Sequence, residues 1–577
     1  MSIDMEETNA LDEIDSPPET RRAADALVDV LIEAGVEVVF GIPGGTIAPI
    51  YDALLDRPAI RVITTRHENM AMFAAAGYTR ATGKLGVVLV TSGPGVINAM
   101  TGLASAHCDG LPVLLLAGEV PRRNQGKGAL QDGGAHFLNI AAMARHICKL
   151  SLEVVDGAMM PTMVRRAIAT ALSGRRGPVV LTLPLDVSSA NVVTTDVSID
   201  VASRFVIAPA ALEKVATRLR FSERRLIFAG SGVRMGDGAA QLLAFAERIQ
   251  CPVMTTPKGK GVFPENHPLS LGVYGLGGHP SSSRYLEEGV DTLLAIGTSL
   301  GDLSTNGWSH QLQPRRSLIH VDIDAQQIGR SYTTEIAIVA PADQFLRELS
   351  AHVPIADAPR VFGLTRHDAA AFAAARTGLI APQRALWELQ QALPADTIFT
   401  CDSGEHFLFA VHYLESRLAD GFIAMSGLGS MGSGIGGAVG AKLARPQRTV
   451  AAVCGDGGFA MCGTEVATAV VERLPIVFAV MNDQRLGMVE LGHNALYGRA
   501  PEFGTGPLNI TEMASALGAE SIVIDTPGQI LELAGHLQRL RGPIVLDVRI
   551  DPEVKMQKNG RFDALKKTAQ NRPRYVN

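Results

Sequence analysis

Residues 448–458 read Arg-Thr-Val-Ala-Ala-Val-Cys-Gly-Asp-Gly-Gly, an apolar strand that runs directly into the glycine turn at 455–458. Glycine lets main-chain N–H groups approach phosphate oxygens closely, because no side chain stands in the way. The aspartate in this turn, Asp456, would repel a phosphate unless a divalent cation lay between them. Mg²⁺ prefers carboxylate, amide and phosphate oxygens as ligands. The stretch therefore predicts a strand end that holds a phosphate-bearing ligand through Mg²⁺.

A second apolar strand, Ile476–Met481, ends at Asn482-Asp483. The stretch between Asp456 and Asp483 has the length of one strand–helix–strand unit. Such a unit returns the chain to the same edge of a parallel sheet, so the two carboxylates are expected to meet there. A Gly-Asp-Gly turn alone is more often a plain loop. The pair of aspartates, each directly after a strand, is what indicates a metal site.

The rest of the chain alternates short apolar strands with helices, a pattern typical of parallel sheets covered on both faces. We predict an α/β fold with three doubly wound parallel-sheet domains, because the chain of 577 residues is too long for one core. The domains are placed at residues 21–190, 206–351 and 380–555. The remaining segments are predicted to be a disordered acidic tail (1–20), linkers at 191–205 and about 352–382, and a C-terminal tail (556–577).

Composition excludes several functional classes. The net charge is −6 and no long basic run occurs, which argues against a nucleic-acid or anionic-membrane partner. No secretory signal and no apolar run of membrane-spanning length is visible, so the expected location is the cytoplasm. The six cysteines stand singly and are expected to be reduced core thiols: Cys108, Cys148, Cys251, Cys401, Cys454 and Cys462.

Several motifs resemble the acetolactate synthase family, whose members use thiamine diphosphate and Mg²⁺. They are Gly41–Asp52, Arg66-His67-Glu68, Thr91–Asn98, Gly429-Ser430-Met431-Gly432 and Arg485-Leu486-Gly487-Met488-Val489. The resemblance covers roughly residues 20–555 and implies a pyrimidine-binding, a central and a diphosphate-binding domain, in that order. It implies small-molecule substrates, namely a 2-oxo acid donor such as pyruvate and a carbonyl acceptor. It also implies a homodimer or homotetramer with active sites at the dimer interface.

The resemblance assigns catalytic roles to Glu68 and Gln131. Glu68 stands at the head of an apolar, small-residue helix, where a carboxylate could also be a first-turn charge that suits the helix dipole. In the family this glutamate contacts the aminopyrimidine ring of the cofactor that the other subunit holds. Gln131 matches a glutamine near the reacting centre, although a lone glutamine in a glycine-rich loop is usually structural. His107 is expected to be a core histidine.

The resemblance also implies binding residues for the cofactor and the metal. The metal ligands are Asp456, Asp483 and the main-chain carbonyl of Arg485. Met431 matches the apolar residue that props the cofactor into its bent shape, and an ordinary core methionine is the alternative. The full set of cofactor-binding residues is Gly44, Gly45, Gly93, Asn98, Gly404, Glu405, His406, Gly429, Met431, Gly457, Gly458 and Met488.

Three departures from the amino-acid-forming synthases concern the acceptor. Leu185 stands where those enzymes carry a lysine, and the segment Ser299–Leu303 replaces one whose arginine grips the acceptor carboxylate. Leu491-Gly492 replaces a tryptophan that sorts acceptors. Asp483 stands where the amino-acid-forming synthases usually have Asn, and in this it resembles the catabolic, flavin-free synthases. We therefore expect FAD to be absent and the acceptor not to be selected by its carboxylate.

Other functions are left open by the sequence. A simple 2-oxo acid decarboxylase would only protonate the decarboxylated donor, and such enzymes often use a His-His pair that this sequence lacks. A cofactor-binding but inactive scaffold subunit is a third possibility, which the intact Glu68, Asp456 and Met431 oppose. The turn Gly230-Ser231-Gly232 in the central domain occurs in flavin-binding and flavin-free domains alike.

Overall fold

The structure, a computed structural model, describes residues 20–193, 205–367 and 379–556 together with Lys566. It contains three six-stranded parallel sheets, which confirms the predicted fold class. The predicted tails at 1–20 and 556–577 lie outside the described residues except for Thr20, Met556 and Lys566. Of the predicted linkers, residues 194–204 and 368–378 lie outside them too. Among the described residues, no helix has the length and apolar character needed to cross a membrane.

The first and last strands of the first unit pair with each other in a small antiparallel sheet. Its strands are β1 (Thr20–Arg22), β2 (Val38–Gly41), β3 (Arg61–Thr64), β4 (Gly86–Val90), β5 (Val113–Glu119), β6 (Leu150–Glu153), β7 (Val179–Pro184) and β8 (Asn191–Val193). Its helices are α1 (Ala23–Glu33), α2 (Ala48–Leu55), α3 (Glu68–Thr82), α4 (Pro94–Asp109), α5 (Ile140–Ala144), α6 (Met160–Leu172) and α7 (Leu185–Ser188). The main sheet has the order β3-β2-β4-β5-β7-β6, and β1 pairs with β8.

The central unit is a second parallel sheet with its own apolar core. Its strands are β9 (Arg225–Ala229), β10 (Val253–Thr255), β11 (Ser270–Val273), β12 (Thr292–Ile296), β13 (Ser317–Asp322) and β14 (Ile336–Val339). Its helices are α8 (Pro209–Arg220), α9 (Gly238–Ile249), α10 (Pro280–Glu287), α11 (Asp302–Thr305) and α12 (Ala342–Ser350). The strand order is β11-β10-β9-β12-β13-β14.

The third unit repeats the layout of the first. Its strands are β15 (Ile398–Cys401), β16 (Phe422–Ala424), β17 (Val450–Gly455), β18 (Ile476–Asn482), β19 (Glu520–Ile524) and β20 (Ile544–Arg549). Its helices are α13 (Pro382–Ala392), α14 (Glu405–Tyr413), α15 (Ser433–Ala444), α16 (Asp456–Cys462), α17 (Val466–Val471), α18 (Gly487–Tyr497), α19 (Ile510–Ala516), α20 (Gln529–Glu532) and α21 (Ala534–Leu537). The strand order is β16-β15-β17-β18-β20-β19.

The main sheets of the first and third units therefore share one topology. In each, the direction of the connections reverses beside the first strand of the sheet, between β2 and β4 in one unit and between β15 and β17 in the other. In doubly wound sheets a crevice for ligands forms at the carboxyl ends of the strands at such a switch point. The two sets of site residues predicted from the sequence follow these strands.

Helices α3 and α15 hold the first and third units together through a face of small residues. A Cβ placed on Gly77 would lie 2.2 Å from the carbonyl oxygen of Gly437, and one on Gly440 would lie 1.8 Å from that of Ala74. Larger residues at the two glycines would force the helices apart, because these neighbours are backbone atoms. The apolar core continues across this contact from one unit to the other. The packing fixes where the head of α3, with Glu68, stands relative to the third unit.

Candidate active site

A cavity of about 260 Å³ lies at the carboxyl ends of β15, β17 and β18. All the site residues predicted in the third unit line it: Gly404, Glu405, His406, Gly429, Met431, Asp456, Gly457, Gly458, Asp483, Arg485 and Met488. These residues come from four separate segments of the sequence, which follow β15, β16, β17 and β18. The parallel sheet brings the segments together, as expected at a switch point.

The glycine turn in this cavity has no room for side chains. A Cβ on Gly457 would lie 2.7 Å from Cδ2 of Leu486 and 3.4 Å from Cε of Met431. A Cβ on Gly458 would lie 2.6 Å from Oδ2 of Asp402. The turn thus offers main-chain groups at the head of a helix, the arrangement that suits phosphate oxygens. Met431 packs toward the same turn, which agrees with a residue that supports a bound molecule.

Three aspartates line this cavity, and two of them, Asp456 and Asp483, are the predicted metal ligands. Asp456 is buried at the start of α16 and accepts a hydrogen bond from the Thr505 hydroxyl. Burial raises the pKa of Asp456 above its usual range. Burial, followed by the charges of Asp456 and Glu405, raises the pKa of Asp483 to about 7. A divalent cation would relieve this repulsion, so the donor set fits Mg²⁺.

The remaining ligands to such a cation would not be side chains of the usual metal-binding types. No group of three His, Cys, Asp or Glu side chains that could hold a metal ion occurs in the part of the chain that the structure describes. Mg²⁺ commonly binds to one or two carboxylates and completes its shell with main-chain, phosphate and water oxygens. The main-chain carbonyl of Arg485, which belongs to a cavity-lining residue, agrees with that mode.

Asp402, which was not predicted from the sequence, fixes the turn that carries Met431. Its buried carboxylate accepts hydrogen bonds from the main-chain N–H groups of Gly432 (2.8 Å) and Gly434 (3.2 Å) and from the Ser433 hydroxyl (3.2 Å). These bonds tie the turn to the end of β15. The signal was present, because Asp402 follows a buried strand directly, as Asp456 does.

Glu68 begins α3 in the first unit and is buried, 8 % exposed. The side-chain amide of Asn98 donates a hydrogen bond of 3.0 Å to its Oε2. Asn98 was predicted to bind cofactor, and in this structure it holds the carboxylate. A Cβ placed on Gly95 would lie 3.6 Å from Oε1 of Glu68, so the glycine turn after β4 leaves space beside the carboxylate.

Gln131 lies against the same turn. A Cβ on Gly93 would lie 3.1 Å from Cα of Gln131, and both residues have left-handed backbone, with φ of 61° and 62°. A non-glycine residue in this region costs about 1–3 kcal/mol and is found most often at functional sites. A Cβ on Gly44 would lie 2.5 Å from Cβ of Thr91, whereas one on Gly45 would meet no atom within 4 Å. The structure thus gives a packing reason for glycine at 44 and none at 45.

The residues predicted in the first unit lie apart from the cavity in the third unit. Glu68, Asn98 and Gln131 are not among the residues that line the cavity at Asp456. They lie at the carboxyl edge of the first sheet, Glu68 after β3, Asn98 after β4 and Gln131 after β5. Each group thus occupies the switch point of its own sheet.

Glu465 links the third unit to the first, and it was not predicted from the sequence. It is fully buried in the third unit, and its Oε2 accepts a hydrogen bond of 3.0 Å from the main-chain N–H of Arg66. Burial raises its pKa to about 7. Glu465 therefore holds the segment directly before Glu68 from the opposite unit. A charged residue in the small-residue stretch after the glycine turn was the available signal.

A second cavity, of about 680 Å³, lies where the three units meet. It shares Ser403, Gly404, Gly429 and Met488 with the first cavity, so the two adjoin. Leu303, from the segment that replaces the family arginine, lines it, and so do the cations Arg175, Lys258 and Arg330. The walls of this cavity are therefore not apolar throughout. Gly492 is not among the residues lining either cavity.

Two of these cations already contact carboxylates. Lys258 Nζ lies 3.2 Å from Oδ1 of the buried Asp109, and Arg175 lies 3.5 Å from Asp324. His107 also lines the cavity and is only partly buried, which corrects the expectation of a core histidine.

The expectation of reduced core thiols needs one correction. All six cysteines are free, but Cys108 and Cys462 are partly exposed rather than core residues.

The structure also contains stacked histidines that the sequence could not show. The ring of His412 stacks on those of His279 and His367, with centroid distances of 4.8 Å and 5.2 Å. None of the three lines either cavity. The stack joins the central and third units, and it does not supply the histidine pair that simple decarboxylases use near the cofactor.

Comparison with known proteins gives three family matches in chain order. Residues 21–137 match the N-terminal TPP binding domain of the thiamine pyrophosphate enzymes. Residues 212–349 match the central domain of these enzymes, and residues 402–548 match their C-terminal TPP binding domain.

Curated relatives cover nearly the whole chain. A probable acetolactate synthase large subunit of Methanocaldococcus jannaschii is 34% identical over 554 residues, 92% of each chain. An acetolactate synthase of Arthrospira platensis is 32% identical, covering 91% of this chain and 94% of the relative. The large subunit of acetolactate synthase isozyme 2 of Escherichia coli is 32% identical, covering 92% and 95%.

Proposed function

Since this chain belongs to the thiamine pyrophosphate enzyme family and is an acetolactate synthase-like carboligase, we propose that it decarboxylates pyruvate and joins the two-carbon remainder to a carbonyl acceptor. With a second pyruvate as acceptor, the products are acetolactate and CO₂. The observation that carries the proposal is the single cavity in which the glycine turn, both aspartates and Met431 converge. The protein is proposed to be located in the cytoplasm.

The residues of the third unit fit the diphosphate end of thiamine diphosphate and one Mg²⁺. When bound, this cofactor supplies the electron sink that decarboxylation of a 2-oxo acid requires. Asp456, Asp483 and the Arg485 carbonyl would hold the cation, and the turn at Gly457 and Gly458 would hold phosphate oxygens. Met431 would support the body of the cofactor.

Glu68 is proposed as the acid that shares a proton with the aminopyrimidine ring, held in place by Asn98. Gln131, in its left-handed conformation beside Gly93, is proposed to lie near the reacting atoms. Because Glu68 is not among the residues that line the cavity at Asp456, the site is proposed to form between two copies, as a homodimer or homotetramer.

Product analysis tests the function. Purified protein with thiamine diphosphate, Mg²⁺ and pyruvate is expected to release CO₂ and acetolactate in equal amounts. Acetaldehyde as the main product would instead support a simple decarboxylase. Unchanged pyruvate, with the cofactor bound, would support the inactive scaffold subunit.

The protein is expected to be colourless, because Asp483 and the replacement of the family lysine by Leu185 are features shared with the flavin-free synthases. The measurement is the absorption spectrum of freshly purified protein. An absorption band at about 450 nm, where oxidised flavins absorb, would contradict this expectation. Denaturation followed by chromatography of the released molecule is the control for a weakly bound flavin.

The acceptor is expected not to be selected by its carboxylate. Leu185 and Leu303 replace two cations, while Lys258 and Arg175 already contact carboxylates. Apolar side chains such as Leu303 discriminate weakly between acceptors, by about 1–3 kcal/mol per methylene. An uncharged aldehyde or ketone should therefore compete with 2-oxobutyrate when pyruvate is the donor.

The measurement is kcat/KM for 2-oxobutyrate against an uncharged carbonyl compound of similar size. A preference for the oxo acid above about a hundredfold, roughly 2.7 kcal/mol, would contradict the expectation. Arg330→Met is the diagnostic variant in that event, because Arg330 lines the cavity and, unlike Lys258 and Arg175, has no ion pair among the described residues. Loss of the preference in this variant would identify Arg330 as the carboxylate-binding group.

A further inference from the structure

The cavity proposed to hold the diphosphate is lined by more negative than positive side chains. Its acidic residues are Glu405, Asp456, Asp483 and Asp551, and its basic residues are Arg485 and Lys555. Two of the carboxylates, Asp456 and Asp483, are accounted for by the proposed Mg²⁺. The diphosphate would bring further negative charge, so the remaining carboxylates need a separate explanation.

Glu405 is one of the two carboxylates left without an explanation. It begins α14, directly after Gly404, and its side chain is 11% exposed. Its Oε1 is buried and has no hydrogen-bond partner among the residues that the structure describes. Oε2 would lie 2.4 Å from a Cβ on Gly487, and Oδ2 of Asp483 would lie 3.1 Å from the same point. A lone carboxylate in this position would repel both Asp483 and a diphosphate.

Lys555 supplies a cation to this carboxylate. Its Nζ lies 3.4 Å from Oε2 of Glu405. Lys555 belongs to a segment after β20 that lines the cavity through Ile550–Pro552, Val554 and Lys555. The segment is anchored at its start, because the N–H of Asp551 donates to the carbonyl of Ile380 at 2.9 Å.

The other cation of the cavity is engaged elsewhere. The guanidinium of Arg485 lies 3.5 Å from Glu490 and 3.5 Å from Glu553. Lys555 is therefore the cation that faces Glu405.

We propose that Lys555 is a positioning residue for the cofactor: its ammonium group neutralises Glu405, so that a diphosphate can bind beside that carboxylate, and the ion pair holds the segment 550–555 against the cavity. The inference rests on the proposed function, because it concerns the diphosphate of thiamine diphosphate. The segment 550–555 then helps to retain the cofactor.

A double-mutant cycle tests the proposal through cofactor binding rather than activity. The variants are Lys555→Met, Glu405→Gln and the double variant, each full length, titrated with thiamine diphosphate in the presence of Mg²⁺ by calorimetry. Lys555→Met should raise Kd about tenfold or more, because Glu405 is then unneutralised. In the double variant Kd should return to within about threefold of the wild-type value, because the carboxylate that needed the cation is gone.

Two results would overturn the proposal. One is an unchanged Kd in Lys555→Met. The other is a double variant that binds as poorly as Lys555→Met, which would mean that the lysine contacts the cofactor itself rather than acting through Glu405. Thermal unfolding without cofactor checks that the variants fold, and the rescue by Glu405→Gln separates the effect from misfolding. The matched control is Lys84→Met, which removes a lysine paired with Glu37 in the first unit and should leave Kd unchanged. Failure of the wild-type protein to bind thiamine diphosphate would count against the proposed function instead.

Discussion

Glu68→Gln is expected to slow proton exchange at the thiazolium carbon of bound thiamine diphosphate by about 10²–10⁴-fold, the usual size of an acid–base contribution. Glutamine has the shape of glutamate and can still contact Asn98, so the fold and the affinity for the cofactor should persist. It cannot share a proton with the aminopyrimidine ring. The measurement is hydrogen–deuterium exchange at that carbon, followed by NMR after acid quenching.

Glu33→Gln is the matched control, because Glu33 lies in the same unit and pairs only with Arg165 among the ion pairs of the described residues. Its exchange rate should equal that of the wild type. A wild-type rate in Glu68→Gln would mean that Glu68 is only a favourable charge at the start of α3.

Asp456→Ala is expected to abolish metal-dependent binding of the cofactor. The carboxylate of Asp456 would hold the cation beside the glycine turn. Without this carboxylate the cation is lost, and the negative charge of the diphosphate is no longer neutralised. The loss should exceed that of an uncharged hydrogen bond and reach roughly 1.5–3 kcal/mol or more. Calorimetric titration with thiamine diphosphate, with and without Mg²⁺, measures it.

Asp396→Ala serves as the control, because Asp396 lies in the same unit, is exposed and faces Arg448. Its titration curve should match that of the wild type. If Asp456→Ala also retained the wild-type affinity and the wild-type dependence on Mg²⁺, the assignment of this turn to the metal would be wrong.

The sequence predicted the fold class because its signals were local. Each central strand is a short apolar run, such as 86–90 or 450–455, and each is followed by a turn that ends it. The third-unit cavity was predictable for the same reason, since the predicted residues that line it come from four short contiguous motifs. The strand order shared by the first and third sheets could not be read from the sequence, because strand order depends on which strands pair and not on residue identity.

The residues that were missed act across long separations in the chain. Asp402 bonds to a turn about thirty residues later, and Glu465 bonds to Arg66 in another unit. Lys555 meets Glu405 only because the C-terminal segment passes the start of α14. Nothing in the neighbourhood of each residue reveals such a partner, so only the folded chain shows it. The catalytic roles of Glu68 and Gln131 stay predictions.

The most direct test of the account is subunit complementation between Glu68→Gln and Asp456→Ala. Each variant alone should be inactive, because every active site in it lacks either the Glu68 carboxylate or the Asp456 carboxylate. If the two halves come from different copies, a mixed dimer has one complete site and one doubly damaged site. An equal mixture that exchanges subunits freely should recover about a quarter of the wild-type activity, because half of the dimers are mixed. No recovery, in a mixture shown by mass spectrometry to contain mixed dimers, would contradict a site formed from Glu68 of one copy and Asp456 of the other.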